Sequence, residues 1–386
     1  MSTDLAPAAH GSGAGTDQLR IAVIGGSLTG PVTALLLIQA GFDRVTVYEA
    51  APASAPLTGG LIGLEHAALD VLDRLGIPQP EFVAHTSEVI MQMRVHDRRP
   101  AEIARRVYPG RNTTWTLLHR ALAARLPNHV LRTGMRVTGL AEQSGQPVLQ
   151  FADGHAERAD LVVFGDGRSS IGRRLLDPNR RLRYAGYVAH RGTAECTPHP
   201  DLRDFLRLEP CPGVQFNLAP VPGGCDWTFY LDCPTAEYRQ YFGASPTRRL
   251  LVLPQHVSPA ARAHVDEHAE HLLPPEHCAV VHATHTRMAV PVLDIAPPTR
   301  MVWPIGNGHA ALLGDALAPV RPHTARGANN GIEQAAGLVT ALLQHHRYGA
   351  DLPAALQGWQ RRHLPAAVAA VHRGPTIGQR FGLGTA

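Results

Sequence analysis

From residue 19 onward the chain alternates short apolar runs with longer stretches of helical spacing. Residues 20–24 (Arg-Ile-Ala-Val-Ile) are apolar and β-branched, which predicts a buried strand. A glycine-rich turn follows, and Pro31 to Ala40 predicts a helix stopping at Gly41. Residues 44–49 predict a second strand, which completes a strand–helix–strand unit. Gly63 to Leu75 has helical spacing and stops at Gly76; residues 113–126 predict another helix. A strand pair near 129–139 and 146–152 and a buried strand at 160–165 come next. Between about 182 and 293 the texture shifts to strand-like alternation with many prolines, and a helix is predicted at about 258–272. Strand-and-helix texture returns at 301–314, a long helix starts near Ala328, and two or more C-terminal helices finish by about 372.

Composition narrows the function classes. All 36 Lys+Arg residues are arginine, so chemistry that needs a lysine, an internal Schiff base or a Walker-type phosphate lysine, is excluded. A net charge of +4 is mild for 386 residues, and no basic run is interleaved with aromatics, so no nucleic-acid binding is expected. The five cysteines lie at 196, 211, 225, 233 and 278 with no C-x-x-C spacing, which fits reduced thiols in a cytoplasmic protein. Residues 1–18 are small and polar, without the apolar core of a secretory signal, and are expected to be a disordered tail. No apolar run is long enough to span a membrane, so no membrane association is expected.

Between the first strand and helix lies Gly25-Gly26-Ser27-Leu28-Thr29-Gly30, a G-x-G-x-x-G fingerprint with Ser27 at its second glycine. Gly25 permits the tight turn and Gly30 the close packing of helix on strand, while the helix N-terminus favours a pyrophosphate. Glu49, 19 residues after Gly30, ends the second strand where an acidic residue takes ribose hydroxyls. Alone, such a motif is equally a glycine-rich turn without a ligand. With both strands, the helix and Glu49 in place it predicts dinucleotide binding, with Gly25, Gly26, Ser27, Leu28 and Gly30 around the phosphates.

Two further segments identify the dinucleotide. Asp160 to Arg173, with Asp166-Gly167 at its centre, resembles the DG motif of FAD-dependent aromatic hydroxylases, the group A monooxygenases of para-hydroxybenzoate hydroxylase type. Gly314-Asp315-Ala316, continuing through Pro322 to Gly327-Ala328-Asn329, resembles their GD motif. The likeness spans about residues 20–345. It implies that Asp315 accepts a hydrogen bond from the ribityl chain. It implies that Ala325, Gly327, Ala328 and Asn329 aim N–H groups at the flavin pyrimidine edge, and that Asp166 supports the pyrophosphate and the NAD(P)H route. Asp166 is equally a simple turn aspartate. Val137 matches the position that packs on adenine, with a plain core valine as the alternative. Trp115 stands where the family helix carries Arg, Ala318 where a His is usual, and Arg321-Pro-His-Thr-Ala-Arg-Gly replaces P-x-x-G-x-G. These departures resemble the 2,6-dihydroxypyridine 3-hydroxylase branch, and Trp115 implies one FAD contact fewer.

The resemblance implies an α/β fold: a Rossmann-type FAD-binding domain (19–181 and 294–345), an inserted mixed-sheet substrate domain (182–293) and C-terminal helices (346–386). It implies a monomer or homodimer that uses NADH or NADPH and O2 to hydroxylate a small aromatic or heteroaromatic substrate through a flavin C4a-hydroperoxide. A single fingerprint suits transient contact of the nicotinamide with the flavin. An FAD-dependent oxidase or epoxidase, or a non-catalytic flavin-binding redox module, would use the same motifs. Strand alternation puts Gly186, Val188 and His190 on one face and Tyr187 on the other. His190 is the first candidate for substrate contact or proton transfer, His323 the second, lining the cavity beside the flavin loop, and Tyr187 the third. His264-Val-Asp-Glu-His268 matches an inverted zincin pattern. In a segment this rich in histidine it reads as a solvated helix face, and no metal site is expected.

Overall fold

The structure, a computed structural model, describes residues 19–55, 59–200 and 202–384. The tail expected at 1–18 lies outside them.

A six-stranded sheet holds the fingerprint. Its order is Val302–Ile305, Gly308–Leu312, Leu161–Phe164, Ile21–Ile24, Val45–Tyr48 and Leu131–Arg132. All neighbours run parallel except the first two. Every residue of Ile21–Ile24 and Leu161–Phe164 is buried, because helices cover one face and the three-stranded sheet of Val137–Gln143, Gln146–Phe151 and Ala156–Arg158 packs on the other, as where Phe151 meets Tyr48, leaving no position for a polar side chain. The helix Thr29–Gln39 packs against the long helix Gly327–Tyr348 over one of these faces.

The second large sheet has seven strands in mixed orientation. Their order is Arg287–Asp294, Arg183–Ala194, Gly224–Asp232, Val214–Val221, Phe205–Glu209, Val89–His96 and Arg99–Val107. Its last two strands precede residue 182 in the chain. They join through the sheet's one parallel pair, in which Arg207 lies beside Gln92. The helices Thr235–Phe242, Pro259–Leu272 and Pro275–His282 cover its back. Trp227, Phe216, Phe229 and Leu231 are buried there.

Three expectations change in detail. The stretch from Gly63 opens as a strand, Leu61–Glu65, and only then turns into the helix His66–Arg74, because Leu61–Glu65 is recruited by antiparallel pairing to Gly110–Thr114. The helix expected from 113 likewise begins at Trp115, after that pairing strand ends and Thr114 caps the Leu117 N–H. At the other end a single helix, Leu352–Arg380, runs well past residue 372 and through Pro365 and Pro375. Phe381 to Gly384 then fold back against the seven-stranded sheet: Gly213 N–H donates to the Phe381 carbonyl (2.8 Å) and Gly384 N–H to Asp232 Oδ1 (3.0 Å).

Candidate active site

The fingerprint turn is built for close approach. Gly25 has φ +109°, and a Cβ there would lie 2.7 Å from the Gly165 carbonyl oxygen, so only glycine fits. A Cβ on Gly30 would sit 1.8 Å from the Gly25 carbonyl oxygen. Leu28 precedes the helix, and no side chain among the described residues caps that N-terminus. Its first N–H groups are therefore open to an anionic group. Glu49 Oε2 accepts from Gly26 N–H (2.6 Å) and Oε1 from Ala51 N–H (2.7 Å), which holds its carboxylate at the mouth of the turn. Met135 N–H donates to the Glu49 carbonyl (2.8 Å), and Val137, two residues on, is buried in the core at the start of its strand.

The two departures from the family pattern touch each other. Trp115 Nε1–H donates to Ser27 Oγ at 3.0 Å. The indole stacks on His119 with ring centroids 4.6 Å apart, and His119 Nε2 lies 3.2 Å from the Gly26 carbonyl. Burial pushes the His119 pKa down. A neutral aromatic wall thus lines the turn where the family pattern has a cation.

The other two motifs meet through Arg173. Its Nη1 donates to the carbonyls of Asp315 (3.0 Å) and Ala316 (2.8 Å). Asp166 Oδ2 accepts from Ile171 N–H (2.6 Å), while its buried Oδ1 has no hydrogen-bond partner among the described residues. Burial raises the pKa of Asp166, and that of Asp315 against the opposing pull of Arg168 and Arg173. Gly327 lets the long helix start beside Asp315, whose Oδ1 would be 3.6 Å from a Cβ there. Ala328 packs on the core. Asn329 is buried; its side chain accepts from Glu65 N–H (2.8 Å) and donates to the carbonyls of Gly63 (3.0 Å) and Ala325 (2.6 Å). Ala325 has φ +53°, a left-handed backbone on a residue with a Cβ. The open helix start, the glycine clefts, Glu49, the orphaned Asp166 oxygen and Asp315 together fit FAD.

The three catalytic candidates separate. Tyr187 and His323 come together, stacked at 5.8 Å, with Tyr230 4.6 Å and Phe381 5.6 Å from the His323 ring. Arg207 lies over the Phe381 ring at 5.7 Å, and Arg321, paired with Asp294 at 2.8 and 2.7 Å, lies over Tyr187 at 5.4 Å. His190 is elsewhere. It faces the helices behind the sheet, 6.2 Å from Phe242, in the layer of Val188 and Ala289. The strand parity expected from the sequence is right, but the face that carries His190 is covered by Thr235–Phe242 and Pro259–Leu272, so this candidate is withdrawn. Burial holds His323 down at about 3, helped by Arg207 and Arg321. Burial also holds His190 at about 3. Tyr187 is pushed up by burial and stays a neutral phenol.

The sheet front carries groups that sequence reasoning missed. Cross-strand register lines up Arg191, Thr228, Asn217, Arg207 and Gln92. Arg191 Nε, Arg207 Nε, Gln215 Nε2, Asn217 Oδ1 and His323 Nε2 are buried without hydrogen-bond partners among the described residues. Asp226 accepts from Thr193 (3.0 Å) and Leu61 N–H (3.3 Å), and burial pushes its pKa up to about 7. Arginine in the short strand Phe-Leu-Arg-Leu-Glu was a visible signal. Nothing local marks Tyr230 or Phe381.

No protein-family model matches the chain. It is 30% identical over 334 residues to a 6-hydroxynicotinate 3-monooxygenase of Bordetella bronchiseptica, covering 83% of this chain and 81% of that one. It is also 30% identical over 382 residues to a 3-amino-4-hydroxybenzoate 2-monooxygenase of Streptomyces cremeus, covering 95% and 88%. Its fold is that of the solved 2,6-dihydroxypyridine-3-hydroxylase from Arthrobacter nicotinovorans, with a TM-score of 0.81 over 96% of this chain and 94% of that one at 23% identity. With the three cofactor motifs assembled around one cradle, these relatives show that the chain belongs to the FAD-dependent aromatic monooxygenases.

Proposed function

We propose that this monooxygenase hydroxylates a small aromatic or heteroaromatic ring bearing an acidic substituent, which it seats against Arg207. One observation carries the reading. The front of the seven-stranded sheet buries Arg207 Nε, Gln215 Nε2, Asn217 Oδ1 and His323 Nε2 without partners among the described residues, and buried polar groups left unpaired are costly unless a ligand completes them. A guanidinium there suits a carboxylate. The relatives that act on 6-hydroxynicotinate and 3-amino-4-hydroxybenzoate support the same class.

Bound FAD would supply oxygen transfer, with NADH or NADPH as reductant and O2 as oxygen source. The protein's part is position, dryness and proton control. In the proposed roles, Gly25, Gly26, Ser27, Leu28 and Gly30 seat the pyrophosphate, Glu49 the ribose and Val137 the adenine side. Asp166, Asp315, Ala325, Gly327, Ala328 and Asn329 hold the flavin end. His323, kept neutral, accepts a ring hydroxyl proton's hydrogen bond at Nε2, and the phenol of Tyr187 donates to the ring substituents. Phe381 and Tyr230 wall off water. We take 19–181 and 294–345 as the cofactor unit and 182–293 as the substrate unit, whose sheet borrows the strands of 89–107. The five cysteines are free thiols, which favours a reducing compartment such as the cytoplasm.

The test is NAD(P)H oxidation, O2 uptake and product mass with 6-hydroxynicotinate, 3-amino-4-hydroxybenzoate and 2,6-dihydroxypyridine. Stoichiometric hydroxylation of a carboxylated ring supports the reading. Preference for the uncharged pyridine removes the acidic substituent from it.

A further inference from the structure

Behind the seven-stranded sheet a second polar cluster lies outside the flavin chemistry. His199, Glu276 and His277 bring one ligand atom each within 4.8 Å of one another. His277 is 1% exposed, yet neither of its ring nitrogens has a hydrogen-bond partner among the described residues. Its Nδ1 lies 3.5 Å from Glu276 Oε1, a separation that two ligands of one tetrahedral ion can adopt. The ring of His199 stands nearly perpendicular to that of His277, with centroids 5.5 Å apart.

Each element contributes for a local reason. Glu276 and His277 are neighbours in the first turn of Pro275–His282, where the His277 N–H is already taken by the Pro274 carbonyl (3.0 Å). His199 is exposed, in the segment after Arg183–Ala194, and its carbonyl accepts from Thr197 Oγ1 (3.0 Å) and Leu202 N–H (3.2 Å). A buried imidazole with both nitrogens unpaired is costly.

We propose that His199, Glu276 and His277 form a site for a borderline divalent cation, with Zn2+ the best match, water completing the shell. Two imidazoles and one carboxylate are the donor set such ions take. The ion clips the segment around His199 to the helix Pro275–His282. It is structural, because the sheet stands between it and the flavin cradle. The ring of Phe216 lies 6.3 Å from His277 on the back, while its neighbours Gln215 and Asn217 lie on the other face by strand alternation. The His264/His268 pair, visible in the sequence, does not compete. His268 Nδ1 lies 2.8 Å from the His264 carbonyl, and among the described residues His199, Glu276 and His277 are the one group of three or more with metal-ligand geometry.

The experiment uses the FAD-loaded full chain, stripped with EDTA and titrated with ZnCl2 by calorimetry and with CoCl2 by visible absorption. One tight zinc per chain and a tetrahedral cobalt spectrum are expected. His199→Ala and Glu276→Gln change surface positions and should weaken that site roughly 10–100-fold. His277→Phe keeps the buried ring and should abolish it. NAD(P)H consumption should be unchanged in His199→Ala and Glu276→Gln. The chain has 22 histidines, so weak zinc binding that all three variants retain, or no stoichiometric site, overturns the proposal.

Discussion

The Trp115 indole N–H donates to the Ser27 hydroxyl at 3.0 Å, so the residue replacing the fingerprint's second glycine and the one replacing the family arginine are a single hydrogen-bonded unit. Ser27→Gly alone leaves the indole donor unpaired, and Trp115→Phe alone leaves the hydroxyl. Each should loosen FAD, while the double variant should recover most of the loss, a coupling of about 1 kcal/mol. Fluorescence titration of apoprotein with FAD measures it; additive effects would sink the idea.

Ala325 holds φ +53° where glycine is the unstrained choice. Ala325→Gly should raise stability, on the order of 1 kcal/mol, without loss of turnover. Thermal unfolding of the FAD-loaded enzyme decides it, and a lower melting temperature would show that the surrounding loop prefers the methyl group.

Asp226 is buried with its pKa raised to about 7. The folded state therefore prefers its protonated form. The stability this contributes is complete below the ordinary carboxylate pKa of about 4 and is lost as pH rises through about 7. Asp226→Asn keeps the acceptor for Leu61 N–H and cannot ionise. The variant should match the parent near pH 3 and exceed it near pH 8 by roughly 2–4 kcal/mol. Denaturant melts across this range that move in parallel would refute the assignment.

His323 and His190 should respond oppositely. His323→Ala should cut kcat/KM by about 100-fold, because it touches the proposed ring site. His190→Phe should leave kcat/KM and its pH profile intact. His190 is held neutral, with its folded pKa depressed to about 3, so its contribution to stability is present above about 6.5 and is lost as pH falls towards 3. His190→Phe should accordingly resist acid better. Steady-state kinetics and acid denaturation read the two effects separately.

Arg207→Gln should raise KM for a carboxylated substrate by roughly 10–100-fold and barely change that for an uncharged analogue. Equal losses on both would assign Arg207 to packing against Phe381.

The cofactor cradle was legible because its demands are local. Gly25, Gly30, Glu49 and Asp315 answer to backbone clearance and charge within a few residues, and their spacing survives any rearrangement elsewhere. The substrate face was not. Alternation set Tyr187 and His190 on opposite sides, but which side faces the cavity depends on helices that come only at residues 235–282. Strand pairing brings Tyr230 to the ring of His323 and Arg207 to that of Phe381, and Phe381 arrives through a helix that outran its two prolines. Helical spacing from Gly63 hides the end of the strand Leu61–Glu65 for the same reason: its partner Gly110–Thr114 lies in a distant stretch.

Arg173 ties the DG turn to the Asp315 carbonyl across 142 positions of sequence. A nascent chain therefore carries the fingerprint turn and the DG turn long before the strand and helix that complete the cradle emerge. Flavin can be captured only once the segment around Asp315 has emerged, and until then this seam stays open to proteases. Cellular abundance of the enzyme should accordingly follow flavin supply as closely as it follows transcription.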